Sequence, residues 1–101
     1  MFFQPLTNGQ AVFDSLDTDA TAEYRIQVAA NQKLVIRLDG PDDADFDLYV
    51  RYAEPASRWD YDMKRVTRYA DESLTIAPTQ AGECFILVHA YSGEGQFSLV
   101  A

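Results

Sequence analysis

Residues 45–55 of this 101-residue chain read Asp-Phe-Asp-Leu-Tyr-Val-Arg-Tyr-Ala-Glu-Pro. Apolar Phe46, Leu48 and Val50 occupy alternate positions, and polar or aromatic residues separate them. A period of two places neighbouring side chains on opposite faces of an extended strand. The stretch therefore predicts a β-strand whose apolar row faces a core, while the other row, which includes Asp47, faces outward.

The same alternation continues on both sides of this stretch. It predicts further strands over about residues 11–16, 23–29, 33–38, 72–77, 83–91 and 96–100. Turn-forming pairs such as Asn8-Gly9 and Ser92-Gly93 separate several of them. No segment has a convincing helical period. Seven or eight short strands with closely spaced turns predict an all-β chain, folded as an antiparallel sandwich or barrel.

Two local features complete this prediction. Residues 23–29 and 33–38 are joined by a short turn at Asn31-Gln32, and we expect the two segments to form a hairpin. Residues 59–63 alternate over too few positions to distinguish a short strand from an ordered loop, and residues 66–71 are predicted to be a loop.

Composition limits the classes of protein that this chain can belong to. Its length predicts one domain over residues 1–101, and a hydrophobic fraction of 48% is enough for one core. Sixteen acidic and eight basic residues give a net charge of −8, which opposes binding to nucleic acid or an anionic membrane. No stretch is long and apolar enough for membrane insertion. Cys84 is the only cysteine, so an intrachain disulfide is impossible.

Three fragments carry a more specific signal. They are residues 43–51 with the following Pro55, residues 72–82 with Pro78, and residues 85–99, which read Phe-Ile-Leu-Val-His-Ala-Tyr-Ser-Gly-Glu-Gly-Gln-Phe-Ser-Leu. In this order and spacing, from about Leu6 to Val100, the chain resembles the bacterial pre-peptidase C-terminal domain family. That family includes the collagen-binding domains of clostridial collagenases. The resemblance implies a jelly-roll-like β-sandwich without catalytic activity, of the kind appended to secreted peptidases, and some members bind calcium.

Two acidic groups are candidate calcium sites, because calcium prefers several carboxylate and carbonyl oxygens. The first lies in the acidic loop and the neighbouring loop, and comprises Asp42, Asp43, Asp45, Asp60 and Asp62. The second, Asp19 with Glu23, falls near calcium-ligand positions of the collagenase domains in the family comparison. The alternative interpretation of the acidic loop is a solvated turn, since Asp stabilises turns through its own side chain.

The candidate ligand-binding row comprises Leu87, His89 and Tyr91, which alternate on one face of a predicted strand. The matching strand of the collagen-binding relatives presents a leucine and two tyrosines to the ligand, and here His89 replaces the middle tyrosine. Binding predicts that the three side chains are exposed together, whereas an ordinary packing role predicts that they are buried. Cys84 lies an odd number of residues from His89, hence on the opposite face, and it is expected to be a buried core residue.

These observations predict a non-catalytic accessory or binding module. Its expected partner is a protein or polysaccharide surface, or a parent peptidase domain. The alternative is a structural domain stabilised by calcium, with no ligand of its own. The family resemblance implies a secreted or cell-surface location, but residues 1–5 lack the basic and apolar regions of a signal peptide, so a cytoplasmic location stays open.

Overall fold

The computed structural model describes residues 3–66 and 71–101. Within these ranges the regular elements are strands: β1 (Gln4–Pro5), β2 (Val12–Leu16), β3 (Thr21–Val28), β4 (Leu34–Asp39), β5 (Asp45–Tyr52), β6 (Met63–Arg65), β7 (Glu72–Ile76), β8 (Gly82–Ser92) and β9 (Gly95–Val100). In this part of the chain, no helix has the length and apolar character needed to cross a membrane. Residues 59–62 form a loop ahead of β6, and most of the predicted loop at 66–71 lies outside the described residues.

The strands form two sheets. The five-stranded sheet has the order β1-β3-β8-β5-β6, and the four-stranded sheet has the order β2-β9-β4-β7. Apart from the parallel pair of β1 with β3, neighbouring strands are antiparallel. The predicted antiparallel β-sandwich is confirmed.

The predicted hairpin over residues 23–29 and 33–38 is wrong. β3 pairs with β8 in one sheet, and β4 pairs with β7 and β9 in the other. Each of the two strands carries one apolar row, and the rows cover the same core from opposite sides. The connection between β3 and β4 passes from one sheet to the other and is held by Thr79. The Thr79 carbonyl accepts the Asn31 N–H at 2.9 Å, and the Thr79 N–H donates to the Gln32 carbonyl at 2.9 Å.

The core lies between the sheets and is built from the alternating apolar rows. Phe46, Leu48 and Val50 of β5 are fully buried, as their spacing predicted. Phe46 meets Phe97 of β9 edge to face, with ring centroids 5.9 Å apart. Burial of side chains of this size stabilises the fold by roughly 1.5–3 kcal/mol each. Cys84 is also fully buried in this core, which confirms its predicted role.

The second row of β5 does not face solvent, contrary to the prediction. Asp47 is 2% exposed and Tyr49 is 6% exposed. Residues 53–62, here called the capping segment, connect β5 to β6, and Ala56 and Tyr61 of this segment pack over the outer face of the five-stranded sheet. Strand periodicity reports which residues share a face, but it cannot report whether a later loop covers that face.

Candidate functional site

The capping segment packs on the five-stranded sheet through a small apolar cluster of its own. Ala56 is buried against Tyr49 of β5 and Leu87 of β8. Tyr61 stacks on Tyr49 with ring centroids 5.5 Å apart and an angle of 12° between the planes. This cluster is separate from the core between the sheets. The outer face of the five-stranded sheet is therefore a second packed layer over β5 and β8.

Backbone hydrogen bonds fix both ends of the capping segment. At its start, the Ala53 N–H donates to the Glu83 carbonyl at 2.8 Å, and Ala53 has a positive φ of 67°. At its end, the Asp62 N–H donates to the Val50 carbonyl at 2.8 Å. Non-glycine residues adopt positive φ at some energetic cost, so such a turn persists only where surrounding contacts determine it.

A tight turn at the tip of the capping segment is organised by Ser57. Its Oγ accepts the backbone N–H of Asp60 at 2.9 Å and of Trp59 at 3.3 Å. Its own N–H donates to the Asp60 carbonyl at 2.9 Å. The Trp59 side chain is left 81% exposed, and the Arg58 guanidinium carbon lies 5.5 Å from the centroid of its ring.

A groove of about 310 Å³ runs between this turn and the outer faces of β3 and β8. Its floor contains Leu87 and His89, which are 4% and 2% exposed, and Trp59 stands at its rim. The lining residues are Asp19, Thr21, Glu23, Ala56, Ser57, Arg58, Trp59, Leu87 and His89. The groove thus has a buried floor, one wall with carboxylates and one wall with an indole ring.

A buried histidine orients an exposed carboxylate at one end of the groove. His89 Nε2 lies 2.9 Å from Asp19 Oδ1, and the Asp19 side chain is 81% exposed. An ionised carboxylate only accepts hydrogen bonds, so the Nε2–H donates. The backbone of Asp19 is also held, since its N–H donates to the Ala90 carbonyl at 2.7 Å and its φ is 69°.

Within the described residues His89 makes no hydrogen bond to a hydroxyl or a thiol, although Thr21 lies opposite it in the register of β3 and β8. His89 Nδ1 is buried and has no hydrogen-bond partner there. Ser57 Oγ accepts backbone amides, as described above. Cys84 faces the core on the opposite side of β8, and burial raises the pKa of its thiol to about 11. A serine or cysteine hydrolase needs a nucleophile in hydrogen-bond contact with its base, and this geometry does not supply one.

The structure divides the predicted ligand-binding row. Leu87 and His89 are buried under the capping segment and the Asp19 turn, whereas Tyr91 is 59% exposed. Tyr91 meets the edge of His89 with centroids 6.4 Å apart. The three side chains are therefore not exposed together, as binding by the whole row would require, because loops outside the strand pattern cover the first two. What remains open to a ligand is the groove above Leu87 and His89.

The predicted calcium ligands are dispersed. Asp42 and Asp43 are exposed in the β4–β5 connection, and Asp60 is exposed in the capping segment. Asp62 Oδ2 accepts the Tyr52 N–H at 2.7 Å. Of the five residues in the first predicted set, Asp45 alone joins a group of potential metal ligands in the described part of the chain.

The second predicted pair, Asp19 and Glu23, lines the groove. No third ligand joins it in a potential metal group among residues 3–66 and 71–101. Its carboxylates are therefore features of the groove wall in this structure.

Three carboxylates, including Asp45 of the first predicted set, converge where the two sheets meet. Asp45 and Asp47 of β5 and Glu72 of β7 place one carboxylate oxygen each within 4.8 Å of one another. Oδ1 of Asp45 and Oδ1 of Asp47 are buried without a hydrogen-bond partner. Burial, the neighbouring Asp45 charge, a hydrogen bond between the protonated Asp47 carboxyl and Asp45, and the Glu72 charge raise the pKa of Asp47 to about 7, and Arg58 opposes this shift. We call Asp45, Asp47 and Glu72 the acidic triad.

The acidic triad fits a divalent cation by the chemistry of its donors. Three carboxylates offer hard oxygen ligands, and calcium takes about six to eight of these. When both aspartates are ionised, Oδ1 of Asp45 and Oδ1 of Asp47 lack hydrogen bonds, and a bound cation would satisfy them. The ion would connect β5 of one sheet to β7 of the other.

Sequence reasoning missed Asp47 and Glu72 as members of this group and Trp59 as a groove residue. One signal was available for Asp47, since aspartate is depleted in strand interiors and here lies between two core residues. Nothing local marks Glu72, which reaches the triad only through packing of β7 beside β5. Trp59 is the only tryptophan of the chain, but its position over the sheet depends on the turn at Ser57.

Comparison with known proteins places these features in context. The model of the bacterial pre-peptidase C-terminal domain matches residues 20–90. A search of curated proteins found no match.

Two solved structures share the fold. The pre-peptidase C-terminal domain of collagenase from Bacillus anthracis superposes with a TM-score of 0.71 at 14% identity, covering 98% of this chain and 93% of that one. PliG from Aeromonas hydrophila, a periplasmic inhibitor of g-type lysozyme, also gives a TM-score of 0.71 at 14% identity, with coverage of 96% and 91%. At this identity the likeness establishes the β-sandwich fold alone.

Proposed function

The chain belongs to the bacterial pre-peptidase C-terminal domain family, and we propose that it is a non-catalytic accessory module that binds an extended polypeptide in its groove. Members of this family are accessory domains of peptidases, so a peptidase is the expected parent protein of this chain. Domains of this family occur in secreted bacterial proteins, and in this proposal the chain also works outside the cytoplasm.

The groove between the capping segment and β8 supports this proposal. Binding sites combine an apolar floor with a few polar groups that fix orientation, and here Leu87 forms the floor beside the oriented Asp19 carboxylate. Trp59 supplies an exposed ring, and aromatic rings bury a large area at low entropic cost. A groove with one exposed ring suits a peptide better than a polysaccharide. A flat polysaccharide would be expected to bind several coplanar, exposed aromatic rings of the protein.

The absence of catalysis in the proposal has separate support. His89 is the only histidine, and its Nδ1 contacts no hydroxyl or thiol in the described part of the chain. A protein-binding role is also compatible with the fold, because PliG is an inhibitor of another protein.

The test is binding to immobilised gelatin, an extended polypeptide, with soluble cellohexaose as the polysaccharide comparison. Thr21→Phe should block the groove, since Thr21 lines it and is exposed on β3. Thr75→Phe is the matched control on an exposed position of β7. We expect gelatin binding that falls at least about tenfold in the Thr21 variant and is unchanged in the Thr75 variant. Equal loss in both variants, or binding of cellohexaose alone, would contradict a peptide groove.

A second candidate function is carried by the acidic triad. If calcium binds there, the ion stabilises the sandwich, and the chain is a calcium-dependent structural domain. Two buried carboxylate oxygens without partners favour this alternative, because each costs free energy unless a cation, proton or donor satisfies it.

Thermal unfolding in millimolar calcium and in chelator tests this candidate. Asp47→Asn should abolish any calcium-dependent rise in the midpoint, because Asp47 is a member of the triad. The double variant Asp42→Asn/Asp43→Asn removes two exposed carboxylates of the loop predicted from sequence, and it should leave the rise intact. A ligand at 100 times its Kd stabilises by about 2.7 kcal/mol. If the Asp42/Asp43 double variant loses the calcium-dependent rise and Asp47→Asn keeps it, the ion binds in the loop predicted from sequence. If calcium does not raise the unfolding midpoint of the wild-type chain, this second function is ruled out.

A further inference from the structure

We infer that the groove selects polypeptides by taking up an arginine side chain between Trp59 and the carboxylates of Asp19 and Glu23. This inference rests on the proposed function, since it assumes that a polypeptide occupies the groove. It adds the chemistry of recognition, namely a guanidinium held by an indole face and two acidic groups.

The carboxylate wall is arranged for a cation before any ligand arrives. His89, 2% exposed, donates to Asp19 Oδ1, and the backbone of Asp19 is fixed by its bond to Ala90. The Asp19 side chain nevertheless remains 81% exposed, so its carboxylate is available to a partner. Glu23 lies on β3 opposite Leu87 of the floor, and it lines the same groove as Asp19. Fixing a charged group in advance reduces the entropy lost when the partner binds.

The opposite wall already accepts a guanidinium. The Arg58 guanidinium carbon lies 5.5 Å from the Trp59 ring centroid, within the range of a cation–π interaction. Trp59 remains 81% exposed with this contact in place, so most of the indole is free to contact a second group. Arginine suits the site better than lysine, because a planar guanidinium both stacks on aromatic faces and donates in pairs to carboxylates.

The charge of the chain and of the groove favours a basic ligand over an acidic one. The groove carries Asp19 and Glu23 against one arginine, and the Arg58 charge also acts on buried Asp47. The net charge of −8 adds long-range attraction for a basic partner. An anionic ligand would meet repulsion at both distances.

Trp59 provides the measurement, because it is the only tryptophan and stands at the groove. Its emission is followed while the full chain is titrated with the peptide acetyl-Gly-Arg-Gly-Arg-Gly-amide. The comparison peptide replaces each arginine with citrulline, which keeps the shape and removes the charge. We expect saturable binding of the arginine peptide and binding at least about tenfold weaker for the citrulline peptide.

Matched variants locate the interaction. Asp19→Asn/Glu23→Gln should weaken binding of the arginine peptide at least about tenfold, while Asp42→Asn/Asp43→Asn, with the same change in net charge, should alter it less than about twofold. Circular dichroism confirms folding, and Glu23→Gln alone serves if loss of the Asp19–His89 contact unfolds the chain.

Equal weakening in the two double variants would overturn the inference, because attraction would then come from overall charge. Equal binding of the two peptides would also overturn it, yet would leave the polypeptide groove standing. A lack of response to either peptide would overturn it too. The gelatin experiment then decides separately whether the proposed function also fails.

Discussion

The outer faces of the two sheets differ in burial: that of the five-stranded sheet is largely covered, and that of the four-stranded sheet is open to solvent. On the five-stranded sheet, Phe85, Leu87 and His89 of β8 are each less than 9% exposed, although they point away from the main core. On the four-stranded sheet, the outward residues of β7, Ser73 and Thr75, are exposed. Different parts of the chain cover the first face: the capping segment packs on Leu87, Phe3 packs on Phe85, and the Asp19 turn contacts His89.

The amino-acid composition of each face agrees with whether the face is covered or exposed to solvent. The covered face mixes apolar, aromatic and ionisable side chains, and its buried Asp47 and His89 need partners or protons there. The open face carries polar Ser15, Ser73 and Thr75, which water satisfies, together with Phe13 and Val35, and it has a depression of about 710 Å³ beside Phe13. Function is therefore expected on the covered face, where polar groups are held in fixed geometry.

Removal of a buried side chain from the covered face should have the largest effect on stability. Leu87→Ala should destabilise the fold by about 3 kcal/mol, because Leu87 is 4% exposed and packs against Ala56 and Tyr49. Val35→Ala on the partly buried outer side of β4 is the matched control and should cost less than about 1.5 kcal/mol. Urea unfolding followed by circular dichroism measures both. Equal costs would mean that the covered face is not a second packed layer.

The charged part of the covered face should make stability depend on pH. The pKa of Asp47 is raised to about 7 by burial and by Asp45 and Glu72, whereas an unfolded aspartate ionises near pH 4. The folded state thus holds a proton that the unfolded state has lost. This contribution to stability is present below about pH 4 and is lost as pH rises to about 7.

Asp47→Asn should therefore flatten the decline in the unfolding midpoint between about pH 4 and pH 7 in chelator, and should stabilise the chain at the upper end of this range by several degrees. Exposed Asp43→Asn is the control and should preserve the decline. Calcium at the acidic triad would compete with the proton, so its stabilising effect should grow with pH. An Asp47 variant with the same pH profile as the wild-type chain would show that this carboxyl is ionised in the fold.

The contrast between the faces also marks where prediction from sequence succeeds. The alternating rows of β5 and β4 identified the core, because burial between two sheets imposes a period of two over a whole strand. Sheet membership was harder to predict. β3 and β4 have the pattern of a hairpin, and whether their rows face one core from the same sheet or from opposite sheets depends on distant strands.

The site was less predictable than the fold. Leu87 and His89 were predicted to contact a ligand and line the candidate groove, but their cover could not be foreseen, since Ala56 has no periodic context and Ser57 forms its turn through side-chain bonds. Glu72 joins the acidic triad from the other sheet, at a separation that no local pattern encodes.

A smaller loss of stability is expected when the Ser57 hydroxyl, which organises the turn of the capping segment, is removed. Ser57→Ala removes the acceptor for the Trp59 and Asp60 amides and should cost about 1 kcal/mol. It should also speed hydrogen exchange of these two amides. Ser15→Ala, on the open face, should cost less than about 0.5 kcal/mol. Unchanged exchange at Asp60 would mean that backbone bonds alone hold the turn.

The smallest effects should come from two exposed aromatic residues, one on each face. Trp59→Ala and Phe13→Ala should each change the free energy of unfolding by less than about 1 kcal/mol, since the side chains are 81% and 80% exposed. Trp59 has the larger expected value, because its contact with Arg58 contributes about 0.5–1 kcal/mol at an exposed site. Chemical unfolding followed by circular dichroism measures both variants without relying on tryptophan emission. If Trp59 costs more than about 2 kcal/mol, the indole packs as part of the cover, and the groove beneath it is closed in solution. If Trp59→Ala changes the free energy of unfolding only slightly, the indole ring does not stabilise the fold. An exposed ring without a structural role is expected of a residue that contacts a ligand.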